Sequence, residues 1–150
     1  MNLMQLLWSF VAGAAGWFAL EFVGRPVRRF FDLRGEVIRQ MAVFANVRAR
    51  WKEVRDSVGA TSGEVEEMGL SDLETQRLEE AQRLLRDLAS QMRAFAQNEW
   101  LAVRIVRWLH YDPLKASGGL FGLSNALDTY GGNRAFQTKA VEGALRITPV

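Results

Sequence analysis

Apolar and polar positions fall into stretches of different rhythm along the chain. From Leu3 to Val23 the sequence LMQLLWSFVAGAAGWFALEFV is almost continuously apolar, and Glu21 is its only charge. A helix crossing about 30 Å of hydrocarbon needs about 20 mostly apolar residues, and this stretch supplies them. Trp8 and Trp17 flank its middle, in keeping with the preference of Trp for interfacial depth. A cleaved signal peptide is the main competitor, since Ala12-Gly13-Ala14 offers a small-x-small cleavage site, and a buried core helix is another. The first residues lack positive charge, however, and the apolar run continues through Trp17, Phe18 and Leu20, so an uncleaved anchor over residues 1–24 is expected.

Beyond the anchor the rhythm changes to that of amphipathic helices. Phe30, Leu33, Val37, Met41 and Phe44 recur at three- and four-residue intervals and mark one face of a helix over Val27–Phe44, widened by Phe31 and Ile38. Pro26 stands where it can kink the anchor or open a new helix. Ser71-Asp72-Leu73-Glu74 has the form of a capping box, and the helix it starts is expected to run to about Gln97. Along that helix Leu78, Ala81, Leu85, Leu88, Met92 and Phe95 follow a 3-4-3-4-3 spacing. This is a coiled-coil seam only about two and a half heptads long, and Leu84 widens it in favour of bundle packing over an intermolecular coil.

Three shorter helices follow in the same reading. Trp100–Leu109 is expected to turn Leu101, Ile105, Trp108 and Leu109 inward and Arg104 and Arg107 outward. Asp112-Pro113 is a strong start signal for a helix to about Thr129, because Asp caps and Pro fits the first turn. Gly131-Gly132 ends it, and Asn133 caps a last helix to about Ile147, with Pro149 closing the chain. Gly118-Gly119 permits close approach of a neighbouring helix. No stretch after residue 24 alternates with period two, so no sheet is expected. The fold class is all-α: one N-terminal transmembrane helix followed by a small cytoplasmic helical bundle.

Charge sharpens this outline. The 150 residues carry 19 Lys or Arg and 17 Asp or Glu, a net charge of only +2, yet residues 1–20 carry none. Residues 25–55 hold nine basic and three acidic residues, residues 56–99 four basic and ten acidic, and residues 100–150 six basic and three acidic. The basic block divides off a juxtamembrane helix and connector (25–55) from an acidic linker (56–70), in which Ser57–Gly63 reads as a loop and Glu64, Glu66 and Glu67 as an acidic turn. The helical domain occupies 71–150. Lys and Arg close to a span hold that side in the cytoplasm, so Arg25, Arg28, Arg29, Arg34 and Arg39 predict an outside N-terminus and a cytoplasmic C-terminus in the inner (plasma) membrane. That helix is expected to face the core of the domain; in the alternative it lies along anionic headgroups, the same arginines meeting lipid phosphates, and the two coexist if Phe30 and Phe31 reach the bilayer while Val37, Met41 and Phe44 join the core.

Candidate chemistry is sparse. The chain has no Cys and one His, His110, which excludes disulfides, thiolate metal sites and His-rich metal sites. No cofactor or metal is expected. The near-neutral balance argues against nucleic acid, and the single aromatic of the Asn46–Lys52 run is a poor stacking platform. Gly122-Leu123-Ser124-Asn125-Ala126 resembles a nucleophile elbow but lacks the final glycine and a preceding strand. His110 and Asp112 lack a third partner. Two sets remain as interaction candidates. Ser9 with Gly13 and Ala12 with Gly16 are four apart, the spacing that lets membrane helices approach closely. Asn125, Asp128, Thr129, Tyr130 and Arg134 surround the Gly131-Gly132 turn as a candidate partner site. The expected function is therefore a non-enzymatic, membrane-tethered helical module acting at the cytoplasmic face. Its partners would be membrane lipid together with a protein or a second copy of the chain. An oligomeric membrane effector or pore-former with a cytoplasmic sensing domain is the alternative, and an enzyme acting on membrane lipids is a third, weaker reading.

Overall fold

The computed structural model describes residues 3–55, 61–67 and 69–148. Helix α1 (Leu3–Ala19) passes through a π-helical turn (Leu20–Gly24) directly into α2 (Arg25–Val43). The three form one rod about 60 Å long at 1.5 Å per residue. Pro26 explains the wide turn. It has no N–H to give to the preceding turn, and its ring crowds the carbonyl four residues back. The backbone N–H of Arg25 reaches instead to Leu20 O, five residues away, so the helix widens and continues past the proline.

Four long helices then pack antiparallel in chain order: α2, α3 (Asp72–Asn98), α5 (Pro113–Ala126) and α6 (Gly132–Leu145). The direction of each follows from its contacts. Phe30 of α2 meets Phe95 of α3, and Arg48, just past α2, reaches Glu74. Ser117 and Asn125 of α5 bond to Ala89 and Arg86 of α3, and Gly119 lies against Val141 of α6. The start of α2, the end of α3, the start of α5 and the end of α6 therefore share one end of the bundle, next to α1. Helix α4 (Trp100–Trp108) closes this proximal end. It is about 13 Å long, and it joins two adjacent antiparallel helices, so it crosses the end of the bundle and packs on α2, α3 and the π turn.

One core runs through all these helices. Leu78, Ala81, Leu85, Leu88, Met92 and Phe95 are all buried in it, alongside Phe30, Leu33 and Val37 from α2 and Val141, Ala144 and Leu145 from α6. The α3 seam is thus spent on intramolecular packing. The α2 face is inside the domain as expected, and Phe30, placed at lipid only in the alternative, is 0% exposed and packs on Phe95 and Tyr111. Apolar burial of a Phe outweighs any benefit of leaving it at the surface.

Several expectations need correction. A small sheet exists, in the order β2-β1-β3, with β1 (Trp51–Arg55) antiparallel to β2 (Thr61–Glu67) and parallel to β3 (Thr129–Tyr130). These strands are short, charged and bulged between Glu53 and Arg55, so backbone pairing holds them without the apolar alternation that would announce them. Of the expected loop Ser57–Gly63, residues 57–60 lie outside the described residues, as does Pro149, and Thr61–Glu67 with its acids is strand rather than loop and turn. Helix α4 is also rotated from expectation. Ala102, Val103 and Val106 are buried, Leu101, Ile105 and Leu109 are half-buried, and Trp108 is exposed. The small side chains let α4 sit flat on the bundle, where indole rings would hold it away. Finally, α5 stops at Ala126 because Thr129–Tyr130 leave to pair with β1, and Asn133 lies inside the first turn of α6, whose N-cap is Gly131.

Candidate functional site

The proximal elements begin with α1. Every residue of α1 whose side chain is described is exposed, and the continuous helix to which it belongs, Leu7–Val43, is the one helix among the described residues long and apolar enough to cross a membrane. Ser9, Ala12, Gly13 and Gly16 stand on this open rod. Ser9 Oγ donates to Gln5 O at 2.9 Å, which satisfies its hydroxyl within the helix, and a methyl added at Gly13 or Gly16 would meet nothing. At the exit Phe18 stacks on Phe22 with centroids 4.3 Å apart, and Trp17 meets the same ring edge-on.

The five arginines that follow α1 separate into different roles. Arg28 and Arg29 are exposed. Arg25 pairs with Glu21 one turn earlier, and Arg39 pairs with Glu36 at 2.6 Å. Hydrogen bonds from Arg39 and Gln40 hold the Glu36 carboxyl down at a pKa of about 2. Arg34 turns back into the protein. Its Nε donates to Leu145 O at 2.8 Å, a terminal nitrogen donates to Arg146 O at 3.2 Å, and the guanidinium lies over the Tyr111 ring. These carbonyls belong to the last turn of α6, where a cation is favoured by the helix dipole. Arg34 is thus a clamp between α2 and α6, a role that spacing along the sequence does not reveal.

At the distal end the polar cluster is divided. Asn125 is exposed on α5 and accepts from Arg86 at 3.1 Å. Asp128 accepts from the Thr129 hydroxyl, and Tyr130 is exposed on β3. Arg134 points inward instead, donating to Val47 O at 3.0 Å and to Phe44 O and Ala45 O at 3.4 Å. It closes the C-terminal end of α2 as Arg34 closes that of α6, and burial lowers its pKa below the ordinary arginine value. Nearby, the capping box of α3 forms, with Glu74 N donating to Ser71 Oγ and Ser71 N to Glu74 Oε2 at 3.0 Å. The Ser71 backbone bond, with help from Arg48, keeps Glu74 below the usual carboxylate range.

The candidates for chemistry lie in separate settings. Ser124 is fully buried and bonds back to Phe121 O at 2.8 Å. Asp112 accepts from Lys115 N at 3.0 Å as the N-cap of α5. His110 is exposed with a φ of 67°, the left-handed position that ends α4. Its N–H reaches Arg107 O and that of Tyr111 reaches Val106 O, a Schellman motif with His where Gly is usual. Among the described residues no three of His, Cys, Asp and Glu converge. An apolar cleft of about 500 Å³ opens between α2, α5 and α6, lined by Ile38, Met41, Leu85, Leu123, Leu127 and Thr138 among others; His110, Asp112 and Ser124 do not line it. Comparison of the chain with protein-family models, with curated proteins and with solved structures finds no match.

Proposed function

We propose that this protein is a membrane-tethered, non-enzymatic helical module that binds a protein partner, or a second copy of itself, at the cytoplasmic face of the inner (plasma) membrane. One observation carries the reading: the exposed, uncharged α1 is continuous with α2, whose apolar face is buried in the bundle core. An anchor joined through a helix rather than a loose linker holds the domain at a fixed height and angle to the bilayer. The nine basic residues of 25–55 support a cytoplasmic bundle and an outside N-terminus. Tyr130 and Asn125 form the outward part of the partner site; Arg134 supports them from within.

Proximity crosslinking of the intact chain in its own membrane tests this. A stoichiometric protein or self-complex is expected, and it should be weakened by Tyr130→Ala with Asn125→Ala. A chain that crosslinks to nothing, itself included, would refute the module. The open Gly13/Gly16 face favours one second reading, an oligomeric membrane effector whose single spans assemble side by side. Gly13→Leu with Gly16→Leu should then reduce the mass of the detergent-solubilised particle, and a strict monomer before substitution would exclude that reading.

A further inference from the structure

Helix α4 presents an unusual outward face. At 100° per residue, Arg107, Trp100, Arg104 and Trp108 fall within an arc of about 100°. Trp100 is 67% exposed and Trp108 78% exposed, although the opposite face of the same nine residues is buried. A bundle that needed only a cap would bury such indoles or replace them with polar residues. The helix contains no acidic residue, and among the described residues neither Arg104 nor Arg107 forms an ion pair.

Its location supplies the occupant. Helix α4 packs against the π turn at Leu20–Gly24, whose Phe22 meets Trp17 and Phe18 at the end of α1. Because α4 lies across the bundle end with its small apolar face inward, its Trp–Arg face points away from the bundle, toward the side from which α1 arrives. Indoles prefer the headgroup level of a bilayer, and arginines beside them meet phosphates while their stems lie on apolar surface. We propose that α4 is an interfacial helix whose Trp100, Arg104, Arg107 and Trp108 rest on the anionic headgroup layer of the membrane that α1 crosses. This rests on the reading of α1 as a span. The consequence is a second point of attachment, which fixes the rotation of the bundle about the anchor and leaves the distal Tyr130 face turned to the cytoplasm.

The cysteine-free chain allows a direct test. Full-length Trp108→Cys, Phe136→Cys and Phe10→Cys variants would each carry one fluorophore and be reconstituted in phosphatidylcholine vesicles containing phosphatidylglycerol. Headgroup-labelled quencher lipid should quench position 108 at least roughly twofold more than position 136 at the start of α6, and Arg104→Glu with Arg107→Glu should remove most of that difference. Pure phosphatidylcholine should weaken it. Acyl-chain quencher should reach position 10. Quenching at 10 with no excess at 108 over 136 would overturn the interfacial role of α4 alone. No quenching at 10 would overturn the span, and α4's role with it. A Trp100→Cys label repeats the test should the Trp108→Cys variant fold poorly.

Discussion

The two ends of the bundle are closed by different means. At the proximal end an aromatic cluster does the work: Phe30 meets Phe31, Phe95 and Tyr111 with centroids 5.4 to 5.5 Å apart, and α4 lies over it. At the distal end the closure is polar. Arg134 gathers three carbonyls at the end of α2, Ser71 and Glu74 cap α3, and a short sheet ties the chain after α2 to the α5–α6 turn. Both ends use an arginine on helix carbonyls, Arg34 at one and Arg134 at the other. The difference lies in what faces outward: on one face of α4, two indoles beside arginines without an ion pair among the described residues, against scattered single apolar side chains such as Val43, Leu73 and Phe136 among polar groups at the distal end. Closing an end is therefore not what requires exposed indoles, because the distal end closes without such a helix. On the proposal above, the neighbour of the proximal end is the membrane.

The largest effect expected from testing this contrast is at Phe30. Phe30→Ala removes a fully buried ring from the aromatic cluster and should cost about 3–5 kcal/mol, read as a shift of the denaturation midpoint of the full chain in detergent. A loss below about 1 kcal/mol would mean the proximal end is not held by this cluster. Arg134→Met should cost less, about 1–3 kcal/mol, through the carbonyls left without a donor. The lysine variant should recover only part of it, since an ammonium cannot fork across the same acceptors. Equal stability of Arg134→Met and the unsubstituted chain would show that the distal closure rests on the sheet alone.

The smallest effect lies between the ends, at Glu36. Its carboxyl is held down at about 2 in the folded chain by the Arg39 and Gln40 hydrogen bonds, against 4.5 for an ordinary Glu. A lowered folded pKa adds stability above the unfolded value, and that stability is lost as pH falls from about 4.5 toward about 2. Glu36→Gln should flatten this part of the stability–pH curve slightly, because the group is exposed and screened by solvent. An unchanged slope would show that the Arg39 and Gln40 bonds do not persist in solution.

Much of this architecture is legible in the sequence because single positions carry strong local signals. The apolar run before Arg25, the Ser71/Glu74 box, Asp112-Pro113 and the α3 spacing each act within a few residues, so periodicity and capping chemistry suffice to read them. What is illegible depends on distant partners. Leu145 lies 111 residues from the arginine that binds its carbonyl, and Val47 lies 87 from Arg134. No spacing rule links such pairs. The sheet is missed for a related reason, since parallel pairing of Trp51 with Thr129 joins two segments that are both too short and too polar to show a pattern. The rotation of α4 could have been read. Ala102, Val103 and Val106 fall on one side of a nine-residue wheel, but large indoles suggest burial more strongly than small side chains do.

The placement of α1 across a bilayer, with the bundle fixed beneath it, is tested most directly by alkaline carbonate washing of membranes carrying the full chain, followed by flotation. Retention of the protein with the floating lipid is the expected result, and Val11→Arg with Ala15→Arg should release it. Release of the unsubstituted chain into the supernatant would contradict a membrane-spanning α1.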